Sequence, residues 1–135
     1  MGKIRIGCQT YTWQMSGEKY LDQLEHIIQI ASKAEYVGLE PETQFLGRLW
    51  DPVLMQETLA ANTLELAALT LVEDWLNPEE TDEERAHADK TIEFLKRFPE
   101  TVLAIVQMPG EDRFNLRQRQ ENLLQCVNAI AARAH

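Results

Sequence analysis

Six residues of this chain have the types and positions to hold a small polar ligand: Gln9, Tyr11, Trp13, Glu40, Trp75 and Gln107. Each stands at or just past the end of a run that reads as a β-strand. The stretch "IRIGCQTYTW", Ile4 to Trp13, shows the pattern most plainly: an apolar strand gives way to an amide, hydroxyls and two aromatic rings. Rings stack on the C–H faces of a polyol while amides and carboxylates take its hydroxyls. These six are therefore the candidate substrate-binding residues. Each also has a structural reading. Trp13 is a pocket wall or a cap over the strand ends, and Trp75 a lid or a hydrophobic clip on its loop. Glu40 holds substrate, bonds neighbouring backbone, or pairs with Arg5 or Arg48. Gln9 alternates with Cys8, so only one of the two faces inward. Glu42, Glu73 and Asp74 read as solvated loop acids.

Other chemistries find little support. His26 and His87 fall in helical patterns and His135 is the last residue, so neither a zinc set nor a histidine base is expected. Cys8 and Cys126 are far apart, without metal or redox spacing, and read as reduced packing residues. The net charge of −9 argues against a nucleic-acid surface, which needs clustered Lys and Arg. No apolar run approaches the roughly 20 residues that cross a bilayer, and no signal core precedes Gln9. The expectation is a cytoplasmic protein.

The elements that must position these residues follow from pattern. Lys3–Gln9, Val37–Glu40, Glu65–Val72 and Val102–Met108 have strand composition, and the last two are nearly continuous apolar runs, as in a parallel sheet covered on both faces. Leu21, Leu24, Ile28 and Ala31 form one stripe of a helix. Asp51-Pro52 is a helix start, and that helix is expected to end at Asn62 in the left-handed conformation. Thr81 with Glu84 makes a capping box, with Ala88, Ile92 and Leu95 facing inward. A last helix opens near Asn115 with Leu116, Leu123, Val127 and Ile130 on one side. The order is βα four times over, within one domain spanning residues 1–135. A small doubly wound sheet and half of a (β/α)8 barrel both accept it. The bulky turn "QTYTWQMSG" lacks the glycines of a phosphate cradle.

"IRIGCQTYTW", then "LEHIIQIASKAEYVGLE", then "LAANTLELAALTL" resembles the opening half of the xylose isomerase-like TIM barrels, the family of sugar and sugar-phosphate isomerases and epimerases. "AEYVGLE", Ala34 to Glu40, is similar to the family's second-strand motif. Tyr36 replaces a usual Phe, Asn62 stands where glycine is frequent, and Gln107 where many members have a histidine.

The resemblance implies a parallel (β/α)4 unit, the N-terminal half of a barrel that takes about 250 residues when complete. It implies proton transfer next to a carbonyl, with Mn²⁺ or Mg²⁺ stabilising an enediolate in the complete barrel. Metal ligands and acid–base glutamates would come mostly from the second half, so this chain alone is expected to bind no catalytic metal tightly and to turn over no sugar. Open edge strands imply a homodimer or association with a C-terminal half. The alternatives are a non-catalytic ligand-binding or scaffold half-barrel and an apurinic endonuclease-type fragment, the latter disfavoured by the charge.

Overall fold

The computed structural model describes residues 4–108 and 114–135. The chain is an α/β protein whose strands all pair in parallel. The strands are β1 (Gly7–Gln9), β2 (Gly38–Glu40), β3 (Glu65–Leu66), β4 (Ala68–Glu73) and β5 (Val102–Gln107). The helices are α1 (Tyr11–Gln14), α2 (Leu24–Lys33), α3 (Pro52–Ala61), α4 (Asp82–Leu95) and α5 (Leu116–Ala134). No helix among the described residues is long and apolar enough to cross a membrane.

Two small sheets form, ordered β1-β2-β3 and β4-β5. The single strand expected over Glu65–Val72 divides because its partners change. Ala67 donates its N–H to Leu39 O at 2.9 Å, while its own carbonyl accepts from Val102 N at 3.2 Å. Thr70 N then donates to Pro41 O at 2.9 Å, and a parallel bridge joins Glu42 to Thr70. Hydrogen bonds therefore cross the seam between the sheets. The first strand is shorter than expected: Lys3 lies outside the described residues, and Ile4 and Ile6 are exposed. Ile6 still accepts a hydrogen bond from Val37 N, which extends the β1–β2 pairing by one backbone link.

Register separates the two faces. Cys8, Leu39 and Leu66 lie side by side, as do Leu69 with Leu103 and Leu71 with Ile105, and this face is buried under helices. Leu24, Ile27, Ile28 and Ala31 of α2, Met55 and Leu59 of α3, and Phe94 of α4 make the larger core against it. Trp75, Ala88, Cys126 and Ile130 make a smaller one around Leu71. The opposite face carries Gly7 beside Gly38, Gln9 beside Glu40, and Thr70 and Val72 beside Ala104 and Val106. Val102 and Val106 remain exposed there.

Local signals explain most helix ends. The Asp51 carboxylate accepts from Val53 N at 2.9 Å and Leu54 N at 3.3 Å, with Pro52 at the first helical position. Thr81 and Glu84 form the reciprocal capping box. Three expectations are corrected. Helix α2 begins at Leu24, because Leu21 is extended after a 3₁₀ turn over Gly17–Tyr20. The left-handed residue after α3 is Thr63, with φ 56°, whereas Asn62 has φ −107°. Leu116 is exposed, and α5 buries Asn122 and Cys126 beside the expected Ile130.

Gly47 fixes the turn before α3. Its φ is +51°, and a Cβ there would stand 2.5 Å from Asp22 O. Gly17 has φ +64° but opens onto empty space. Gly17→Ala should therefore cost only the left-handed penalty, about 1–2 kcal/mol, and Gly47→Ala clearly more, in paired urea denaturations. Equal losses at the two positions would contradict this packing.

Candidate functional site

Parallel strands end at one edge, and β1, β2 and β4 bring short polar side chains together there. The Gln9 amide donates to Glu40 Oε1 at 2.9 Å, and the Thr70 hydroxyl donates to the same oxygen at 2.9 Å. Thr10, buried at the end of β1, donates its N–H to Glu40 O at 3.1 Å. Its hydroxyl accepts from Glu42 N at 3.0 Å. The result is a polar rim in which each strand end is held by its neighbour.

A cleft of about 360 Å³ opens over this rim on the uncovered face. Gln9, Tyr11, Glu42 and Thr70 supply its polar groups, and Val72 and Val106 part of its apolar wall. Tyr11 reaches it because the turn after β1 closes as one helical turn, α1, which leaves the ring exposed. Apolar walls with a few converging polar groups are the usual form of a small-molecule site. The Glu42 carboxyl is pushed above the usual carboxylate range by burial, offset in part by the Gln44 amide, which donates to Glu42 Oε1 at 2.5 Å.

A second cleft, of about 450 Å³, adjoins the first and shares Gln14, Glu42, Val72 and Met108 with it. Asp22, Gln44, Trp50, His87 and Lys90 complete its lining. His87 Nδ1 lies 2.5 Å from Glu73 Oε1, and both side chains are partly buried. The Trp50 ring meets the imidazole edge-on at 6.3 Å and carries Lys90 Nζ 3.9 Å from its centroid.

The expected site residues therefore divide. Gln9 and Tyr11 line the first cleft, and Glu40 lies beneath it, bonded to Gln9 and Thr70. The other three face away. Trp13 is half-buried against the larger core. Trp75 is fully buried in the smaller core, with φ 49°, and lines neither of these two clefts. Its backbone N–H donates to Glu84 Oε1 at 2.9 Å and its indole N–H to Val106 O at 3.3 Å. Gln107 is paired in register with Glu73 on the helix-covered side. Its amide donates to the Asp74 and Trp75 carbonyls at 2.9 and 3.2 Å, so it clips a loop instead of facing the cleft.

Sequence reasoning passed over Thr70, and it read Glu42 and Glu73 as solvated loop acids and His87 as a helical residue outside any site. Strand parity is the signal for Thr70, which lies two residues before Val72 on the uncovered face. Nothing local signals the Glu73–His87 pair, which forms only when α4 folds back along β4. Both cysteines are free, and burial pushes both thiols up, away from nucleophilic reactivity.

Among the described residues no three His, Cys, Asp or Glu side chains converge in the manner of a metal site. Glu40 and Glu42 are the carboxylates nearest the rim, and Oε1 of each is already engaged by neighbouring side chains. The donor set of the described residues does not by itself fit a hard divalent cation, which takes six or more oxygens. Comparison with protein-family models, with curated proteins and with solved structures gives no match for this chain.

Glu42 makes the rim sensitive to pH. Its raised folded-state pKa means that the folded chain holds this proton more tightly than the unfolded chain does. Stability is therefore lost as pH rises from the ordinary glutamate range into the raised one. Glu42→Gln has no charge to desolvate. Its urea midpoint relative to the parent should be higher at pH 7 than at pH 4, and an offset independent of pH would contradict the buried carboxyl.

Proposed function

We propose that the chain is the N-terminal portion of a metal-dependent sugar or sugar-phosphate isomerase or epimerase, folded as a (β/α)4 half of a (β/α)8 barrel. The observation that carries this reading is the rim itself: Gln9, Glu40 and Thr70 from three adjacent strands share one hydrogen-bonded oxygen beneath a cleft that Tyr11 walls. The strands follow one another in chain order across both sheets, as barrel strands do. In this reading a sugar lies with a C–H face against Tyr11 and its hydroxyls toward Gln9, Thr70 and Glu42. The chain's own residues bind and orient. Thr10 and Glu40 keep the strand ends in register, and Val72 and Val106 exclude water from one side.

The Mn²⁺ or Mg²⁺ that the resemblance implies finds no ligand set in these residues, so no step is derived through it. The reading assigns the metal to strands beyond these four. Such strands, from a C-terminal half or a second copy, would cover the face on which Val102 and Val106 stand exposed. Two free cysteines far apart support a cytoplasmic setting. A non-catalytic sugar-binding protein is the second reading, favoured by the same lack of a converging ligand set. An apurinic endonuclease-type fragment is less well supported, because the net charge of −9 repels nucleic acid.

Backbone NMR with a ketopentose, a ketohexose and their phosphates tests the ligand class. Saturable shifts should centre on Gln9, Tyr11 and Thr70, and shifts absent or centred elsewhere would refute the sugar site. Sedimentation should show a species larger than the monomer, alone or with the complementary half. A monomer that pairs with neither contradicts the half-barrel.

A further inference from the structure

The second cleft holds a histidine whose geometry the function above does not use. His87 Nδ1 is committed to Glu73, so the ring is fixed in orientation and its other nitrogen is fixed in role. A neutral imidazole facing Glu73 carries its proton on Nδ1, and that tautomer has a lone pair on Nε2. Nε2 has no hydrogen-bond partner among the described residues, and the ring lines the cleft. A half-buried acceptor held in one orientation by a carboxylate is arranged to meet a donor that the chain does not itself supply.

The surrounding groups narrow what that donor is. Asp22 and Glu42 line the same cleft as further acceptors, and both disfavour a phosphate there. Lys90, held over the Trp50 ring, disfavours an ammonium group. Gln14 and Gln44 add amides that serve as donor or acceptor. A neutral group bearing several hydroxyls satisfies all of these.

We propose that the second cleft is a binding site for the unphosphorylated, polyhydroxylated end of a ligand, with His87 Nε2 accepting a hydrogen bond from one of its hydroxyls and Glu73 acting as the positioning residue. Because Gln14, Glu42, Val72 and Met108 belong to both clefts, the ligand runs continuously from the Gln9 rim to His87. The inference rests on the sugar reading of the first cleft and extends it to a second set of hydroxyls.

The test uses the full chain with ¹⁵N-labelled histidine. In long-range ¹H–¹⁵N spectra near neutral pH, His87 should show the Nδ1–H tautomer. Its Nε2 resonance should move saturably with sorbitol. Shifts at Gln9 and Thr70 should mark the other end of the ligand. His87→Phe should weaken sorbitol binding about three- to tenfold, the net worth of one hydrogen bond. Glu73→Gln should disturb the tautomer without altering the far-ultraviolet spectrum. A wild-type Nε2–H tautomer, or sorbitol shifts confined to Gln9, Tyr11 and Thr70, overturns this inference and leaves the first cleft intact. Absence of sorbitol shifts anywhere overturns both.

Discussion

One carboxylate oxygen holds the functional edge of this molecule together. Glu40 Oε1 accepts from Gln9 on one side and Thr70 on the other, so it ties β1, β2 and β4 at their C-terminal ends. The Thr70 bond matters most, because it spans the seam between the two sheets beside the Thr70 N to Pro41 O link. Hydrogen bonds to a charged acceptor are stronger than neutral ones, and two donors on one oxygen also fix its direction. The first cleft exists because these three side chains are spent on one another at its floor, which leaves Tyr11, Glu42 and Val72 free to line it.

The two faces of the sheets divide the remaining tasks. The helix-covered face is filled by Leu39, Leu66, Leu69 and Leu71 and is a packing surface. The other face holds small residues at Gly7, Gly38 and Ala104, polar ones at the rim, and exposed Val102 and Val106. The first of these faces can stabilise a fold on its own, whereas the second has the composition of an interior without its cover. That asymmetry is the physical basis for assigning ligand binding and partner docking to the same side.

The legibility of this chain depended on the range of the interaction. Capping is local, so Asp51-Pro52 and the Thr81–Glu84 box were readable from a few residues, as were the parallel strand segments. Parity is nearly local, and it separates Gln9, which faces the cleft, from Gln107, which faces the helices. Judging both by their position at a strand end concealed that difference. Trp75 looked like a rim aromatic because it follows a strand, yet its positive φ turns it under the loop into the smaller core. Thr63 takes the left-handed turn in place of Asn62, whose amide instead donates back to Thr58 O at 2.8 Å. The Glu73–His87 pair depends on how α4 lies along β4, and no spacing rule for a single element reveals it.

The shared oxygen of Glu40 can be tested by a double-mutant cycle on stability between Thr70→Val and Glu40→Ala at neutral pH. A coupling of about 1.5–3 kcal/mol is expected for a hydrogen bond to a charged group. Additive losses, with no coupling within measurement error, would contradict the account, because the two sheets would then not be joined through this carboxylate.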